Sequence, residues 1–240
     1  MRKNWMGAAV IALSVMAASA SAAPTCASLV VSSAVSVVTI NGLGGCTVGN
    51  YLFNNFAVTN ASPGTGSAEI DLTQGGVAVV GSEIFLNFNP NLGAGTTGGT
   101  ITDLHFTFNV SGGLLNGADL DNSTSINSSI NELNCSGGVN VIGNSASCAG
   151  STLWNTLALS GQSTTCFGNV AGGNGTSNPC AYGTGTATPV FVFKDISIGD
   201  PSSSHNTSFT ESFLTPEPMT FSLMGIGLLG LGIVGRRIRK

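Results

Sequence analysis

Leu104, Phe106, Phe108 and Val110 recur at every second position, with His105, Thr107 and Asn109 between them. This period gives an extended chain one apolar and one polar face, the condition for a half-buried β-strand. Val190 to Ile198 repeats it: Val190, Val192, Ile196 and Ile198 share one face, and Phe191, Phe193 and Asp195 the other. Further strands are expected over Leu29 to Ile40, Tyr51 to Thr59, Ala68 to Leu72, Val77 to Val80, Glu83 to Asn89 and Val139 to Ile142. Asn41-Gly42, Gly75-Gly76 and Asn116-Gly117 punctuate the runs as expected hairpin turns, because both residue types tolerate positive φ. Only Leu120 to Leu133 offers a turn or two of helical period. The expected fold is all-β, a single β-sandwich or jelly-roll-like domain.

The two ends of the chain differ from its middle. Arg2 and Lys3, the apolar run Met6 to Met16 and Ala20-Ser21-Ala22 form the three parts of a secretory signal peptide over 1–22. At the other end Pro216-Glu217-Pro218 precedes an apolar run from Met219 to Gly235, then Arg236, Arg237, Ile238, Arg239 and Lys240. At helical rise the apolar run spans about 25 Å, a short transmembrane helix that snorkelling arginines can complete, with its basic end in the cytoplasm. Gly225, Gly227 and Gly230 spell G-x-G-x-x-G inside this run, but no preceding strand or downstream acid accompanies them. Their reading is close packing of a membrane helix, not a cofactor site. The organisation is thus a signal peptide over 1–22, an exported β-rich domain over 23–215 and a terminal segment over 216–240.

The terminal segment resembles the PEP-CTERM sorting signal of exported proteins in Gram-negative bacteria. Pro216, Glu217 and Pro218 match the name-giving tripeptide, the Gly/Leu-rich run matches the membrane span, and Arg236, Arg237, Arg239 and Lys240 match the basic end. The resemblance implies export, signal peptidase as the first processing partner, transient arrest in the inner membrane, and handling by an exosortase. Delivery to the cell envelope, cell surface or extracellular biofilm matrix, with exopolysaccharide as a possible contact, follows from the same resemblance. Phe191-Val-Phe-Lys-Asp195 and Phe209-Thr-Glu-Ser-Phe213 also look like the last strands of uncharacterised surface proteins with this tail. That second likeness implies a β-rich body and no known activity.

Between the two signals the charge is one-sided. Of seven basic residues only Lys194 lies in the body, against all eleven acidic residues when Glu217 is counted. Such a surface repels nucleic acid, so no nucleic-acid partner is expected. Charged residues make up 8% of the chain, where about 25% is usual, and Ser, Thr, Asn and Gly solvate it instead. Lys194 is read as an exposed residue.

Candidates for chemistry are sparse. His105 falls on the polar face of its strand and His205 in a Ser-rich loop, and neither accompanies a nucleophile elbow or a metalloprotease helix. Glu69 and Asp71 share a strand face but read as an ordinary edge. Asp119 and Asp121, followed by Asn122, Ser123 and Thr124, form an oxygen-rich turn that departs from the EF-hand pattern. No catalytic, cofactor or metal residue is assigned, and a non-enzymatic structural or adhesive role is expected. The alternative is a carbohydrate-binding module that stacks sugars on Tyr51, Trp154 or Tyr182. An exported hydrolase ranks third.

Cys26, Cys46, Cys135, Cys148, Cys166 and Cys180 all follow the leader, as disulfides in an oxidising compartment require. Their spacing favours three local loops, Cys26 with Cys46, Cys135 with Cys148 and Cys166 with Cys180. Non-reducing peptide mapping should find these pairs and no free thiol. A bridge from Cys26 to any cysteine beyond Cys135 would refute the connectivity.

Overall fold

The computed structural model describes residues 22–60, 69–91, 103–122, 128–143, 145–159, 163–164, 181–187, 189–198 and 208–216. The leader, the tail from Glu217 onward, Cys166, Cys180 and His205 lie outside these residues. Among the described residues no helix is long and apolar enough to cross a membrane.

The chain opens with α1 (Cys26–Leu29), β1 (Val35–Ser36), α2 (Val37–Gly42), β2 (Cys46–Val48) and β3 (Tyr51–Asn60). It continues with β4 (Glu69–Val80), β5 (Glu83–Asn91), β6 (Asp103–Ser111), β7 (Leu114–Asp121) and β8 (Ser128–Cys135). The remainder is β9 (Val139–Ile142), β10 (Ser145–Cys148), β11 (Thr152–Leu159), β12 (Ser163–Thr164), β13 (Ala181–Ala187), β14 (Val190–Ile198) and β15 (Phe209–Leu214). One sheet runs β11-β8-β14-β6-β3-β2, and the other runs β1-β4-β5-β15-β7-β12 with β13 also on β7. All paired strands in both sheets are antiparallel. The all-β expectation holds.

The two sheets meet through phenylalanines. Phe106 and Phe108 of β6 face Phe88 of β5 with ring centroids 5.2 and 6.1 Å apart, and Phe53 of β3 meets Phe213 of β15 at 5.8 Å. Leu104, Phe106, Phe108 and Val110 all point into this core, as their period requires. A smaller cluster, Leu133, Cys135 and Phe193, lies on the other face of the first sheet, where Val139, Ala146 and Cys148 pack over it. The β9–β10 hairpin therefore covers part of a face that alternation marks as polar. His105 is buried there, against the Phe193 ring at 5.0 Å, and not solvated.

Among the described residues two disulfides are present. Cys26–Cys46 ties α1 to β2 with Cα atoms 4.8 Å apart, and Cys135–Cys148 staples β10 back to β8 at 5.3 Å. Both are pairs that spacing favours. Each closes a short loop, for which chain entropy gives about 3 kcal/mol.

Several local expectations fail. Leu29 to Ile40 is not one strand but parts of two short helices around a two-residue strand. Thr25 Oγ1 accepts from Ser28 N at 3.2 Å and Ser36 Oγ from Val38 N at 3.3 Å, so each hydroxyl caps a helix start. Val37 and Ile40, three apart, then share the buried side of α2. The described parts of Leu120 to Leu133 are the end of β7 and β8, strand and not helix, because Leu120, Ile130 and Leu133 each take a cross-strand partner within their own sheet. None of the three dipeptides makes a hairpin turn: Asn41-Gly42 ends α2, Asn116-Gly117 lies inside β7, and Gly75-Gly76 sits at a register shift within β4. Among the described residues, two-residue turns are formed by Gly49-Asn50 and Gly81-Ser82, each with its glycine at positive φ, and Gly143, also at positive φ, follows β9 where Ile142 pairs with Ser145.

The stacked core sets the stability expectation. Phe106→Ala should destabilise the protein by about 3–5 kcal/mol, read from the denaturant midpoint, because a fully buried ring leaves a cavity between sheets. Thr107→Ala on the opposite face should change it little.

Candidate functional site

Most residues singled out in the sequence serve packing. Trp154 is buried in the main core, and Tyr182 packs against that core. Tyr51 donates its hydroxyl to the Leu114 carbonyl at 2.7 Å, and its ring lies so close to Gly113 that a Cβ there would sit 3.0 Å from the phenol oxygen. Trp154 is thus closed off from a sugar, while Tyr51 and Tyr182 are half-buried. Asp119 and Asp121 lie along β7, where Asp119 pairs in register with Ser212, so this part of the expected acidic turn is strand, while Ser123 and Thr124 lie outside the described residues. Among the described residues no three His, Cys, Asp or Glu side chains converge as a metal site. Glu69 and Asp71 do share a face of β4, and Asp71 is raised by burial and then by the Glu69 charge.

One pocket gathers polar groups. It lies beside the β9–β10 hairpin on the outer face of the first sheet and has a volume of about 180 Å³. Asn131 of β8, Asn155 of β11, Asp195 of β14 and Ser145 of β10 supply its polar lining, with Phe193 and Leu133 as apolar walls. Register explains the gathering: Asn131, Asp195 and His105 are successive cross-strand partners over β8, β14 and β6. Such neighbours put side chains about 5 Å apart on one face.

The acid in this row is perturbed. Asp195 is raised from 3.8 to about 7, first by burial, then by a hydrogen bond to Asp103 and by that residue's charge. Its Oδ1 lies 4.0 Å from His105 Nε2, too far for a direct hydrogen bond, and neither atom has another partner among the described residues. A carboxyl that titrates near neutrality beside an imidazole can bind or release a proton, or hold a ligand hydroxyl between the two. Ser145 lines the same pocket, but no serine–histidine hydrogen bond is formed among the described residues that would make it a nucleophile.

A second charged cluster escaped the sequence reading. Lys194, expected at the surface, is fully buried between the sheets together with Glu132 of β8 and Glu211 of β15. Its Nζ donates to Glu132 Oε2 and Glu211 Oε2, and Asn134 Nδ2 donates to Glu132 Oε1 at 2.8 Å. Burial pulls the lysine pKa down, but the two carboxylates more than reverse this, so Lys194 titrates above the usual lysine value. Glu211 is held well above the carboxylate range by burial and then by the Glu132 charge, with Lys194 offsetting only part. Tyr182 is raised well above the phenol range by burial, then by Glu211 and Glu132. The signal was available: residue 194 has the parity of Val192 and Ile196, residue 211 that of Phe209 and Phe213, and residue 132 that of Ile130.

No protein-family model, curated protein or solved structure matches this chain.

The Asp195 pKa yields a signed expectation. A folded-state pKa above the unfolded one means the native state holds the extra proton, so stability present at low pH is lost as pH rises from 3.8 to about 7. Asp195→Asn, which does not titrate, should lose less melting temperature than wild type between pH 4 and pH 8. Equal losses in both proteins would show that Asp195 is not the group responsible.

Proposed function

We propose that the chain is an exported protein of the cell envelope or extracellular matrix, structural or adhesive in role and not an enzyme. The observation that carries this is the placement of Lys194. It is the one Lys or Arg between the leader and the tail, and it is withdrawn into the core. The body therefore meets its surroundings through hydroxyls, amides and carboxylates, a surface suited to hydrated polar polymers and unsuited to nucleic acid. Two disulfides clamp its edges, as suits an oxidising compartment.

The ends supply the route in this proposal. Signal peptidase removes 1–22, the apolar run after Pro218 halts in the inner membrane, and an exosortase acts at the Pro216-Glu217-Pro218 segment. The four residues Arg236, Arg237, Arg239 and Lys240 hold the tail in its orientation.

A carbohydrate-binding role is the second reading, and the pocket beside β9–β10 is what favours it. Two amides, a carboxyl and a hydroxyl beside the Phe193 ring match the donors, acceptors and apolar face of one sugar unit. The volume, about 180 Å³, is below the 300–1,000 Å³ of drug-sized sites, so a single unit and not a chain would enter.

Two measurements test these readings. Replacing the four tail cations by Ser in a host with an exosortase should trap or misdirect the protein, and intact mass of the wild-type product should show both ends removed. An unprocessed wild-type C-terminus would sink the sorting proposal. On a glycan array, selective binding abolished by Asn155→Ala would establish the second reading, whereas silence together with adhesion to matrix would leave the first.

A further inference from the structure

Lys194, Glu132 and Glu211 form the most chemically loaded cluster among the described residues, and the proposed role needs only that Lys194 be withdrawn from the surface, not the chemistry of the three groups together. Lys194 and Glu132 are directly opposed partners on adjacent antiparallel strands, so the backbone register itself brings amine and carboxyl together. Phe106 is the lysine's partner on the other side, and the Phe209 ring lies 5.3 Å from Nζ. As an ionic cluster the arrangement is poorly served: Glu211 Oε1 and Asn134 Oδ1 are buried with no hydrogen-bond partner among the described residues. Ions withdrawn from water in this way each forfeit several kcal/mol of hydration.

We propose that this cluster is a self-modification site at which Lys194 Nζ condenses with Glu132 Cδ to form an intramolecular amide, Glu211 acting as the proton relay. Asn134 Nδ2 donates to Glu132 Oε1, which draws electron density from Glu132 Cδ, and Glu211 Oε2 accepts from the same Lys194 Nζ that Glu132 Oε2 holds. Within the apolar core one proton passes from the Lys194 ammonium to the Glu132 carboxylate, giving a neutral amine and a neutral acid. The amine lone pair then attacks Cδ, forming the C–N bond as the carbonyl π pair moves to oxygen. Glu211 gives its proton to that oxygen and takes one from nitrogen. It next protonates one hydroxyl, which leaves as water when its C–O bond breaks, and recovers a proton from the other hydroxyl as the carbonyl reforms. Amine and acid become amide and water, Glu211 ends as it began, and no redox partner is needed. The product replaces two buried ions by one neutral group whose oxygen keeps the Asn134 hydrogen bond. It also joins β8 to β14 covalently in the interior of their sheet.

The test is the mass of the mature full-length product after reduction of its disulfides. It should be lower than the sequence mass by one water, and denatured protein should resist trypsin at Lys194, the enzyme's single site between leader and tail. Peptide mapping with a second protease should yield a branched peptide joining Lys194 to Glu132. Full mass with free tryptic cleavage at Lys194 would overturn the proposal, and a branch to Glu211 would overturn the assignment of roles. Glu211→Gln keeps the side-chain shape and should leave most of the protein at full mass. Complete water loss in that variant would overturn the relay. If it fails to fold, the wild-type mass and map decide alone.

Discussion

The contact between phenylalanines of facing sheets is the interaction on which the remaining structure depends. Phe88, Phe106, Phe108, Phe209 and Phe213 form a continuous set of ring contacts, each within 6.5 Å of another member. Aromatic rings bury much area with few rotatable bonds, so a chain rich in Gly, Ser and Asn can still close a core. That closure fixes the separation of the sheets. Through it, the depth at which Lys194 meets Glu211 across the interface is also fixed.

Placing an ammonium and two carboxyls in such a core runs against the hydrophobic logic around them. The low dielectric strengthens their mutual attraction but also makes each unpaired oxygen costly. A protonated Glu211 resolves the charge count, since one ammonium then faces one carboxylate. The same surroundings that raise the pKa of Glu211 bring the amine and carboxyl of β14 and β8 into contact. Packing and reactivity at this point have one cause.

The outer face of the first sheet follows a different rule. Alternation assigns it to solvent, yet the Cys135–Cys148 bridge draws the β9–β10 hairpin over Leu133 and Phe193. Ser145 and Ala146 of the hairpin share the pocket wall with Asp195, whose pKa burial raises. A local covalent link between residues thirteen apart thereby helps bring several polar groups to one cavity.

The sequence by itself determined the class of fold and the direction in which side chains point. Period two in Leu104 to Val110 and in Val190 to Ile198 is enough for strands, because side chains alternate whatever the sheet's partners are. It also determined the local disulfides Cys26–Cys46 and Cys135–Cys148, whose short loops make neighbours of their ends. Short-range signals did worse where two local physics compete. Asn-Gly and Gly-Gly permit turns but also helix ends and bulges, and the β-branched run before Asn41 forms α2 behind the capping hydroxyl of Ser36. Only the tertiary structure decided what each face would meet. Whether Lys194 is a surface cation or a buried partner depends on carboxylates 62 positions earlier and 17 later, and whether His105 is solvated depends on the Phe193 ring that the pairing of β14 with β6 sets beside it. A period specifies a face, but burial and charge pairing belong to whatever packs against that face, and that is a property of distant chain brought close.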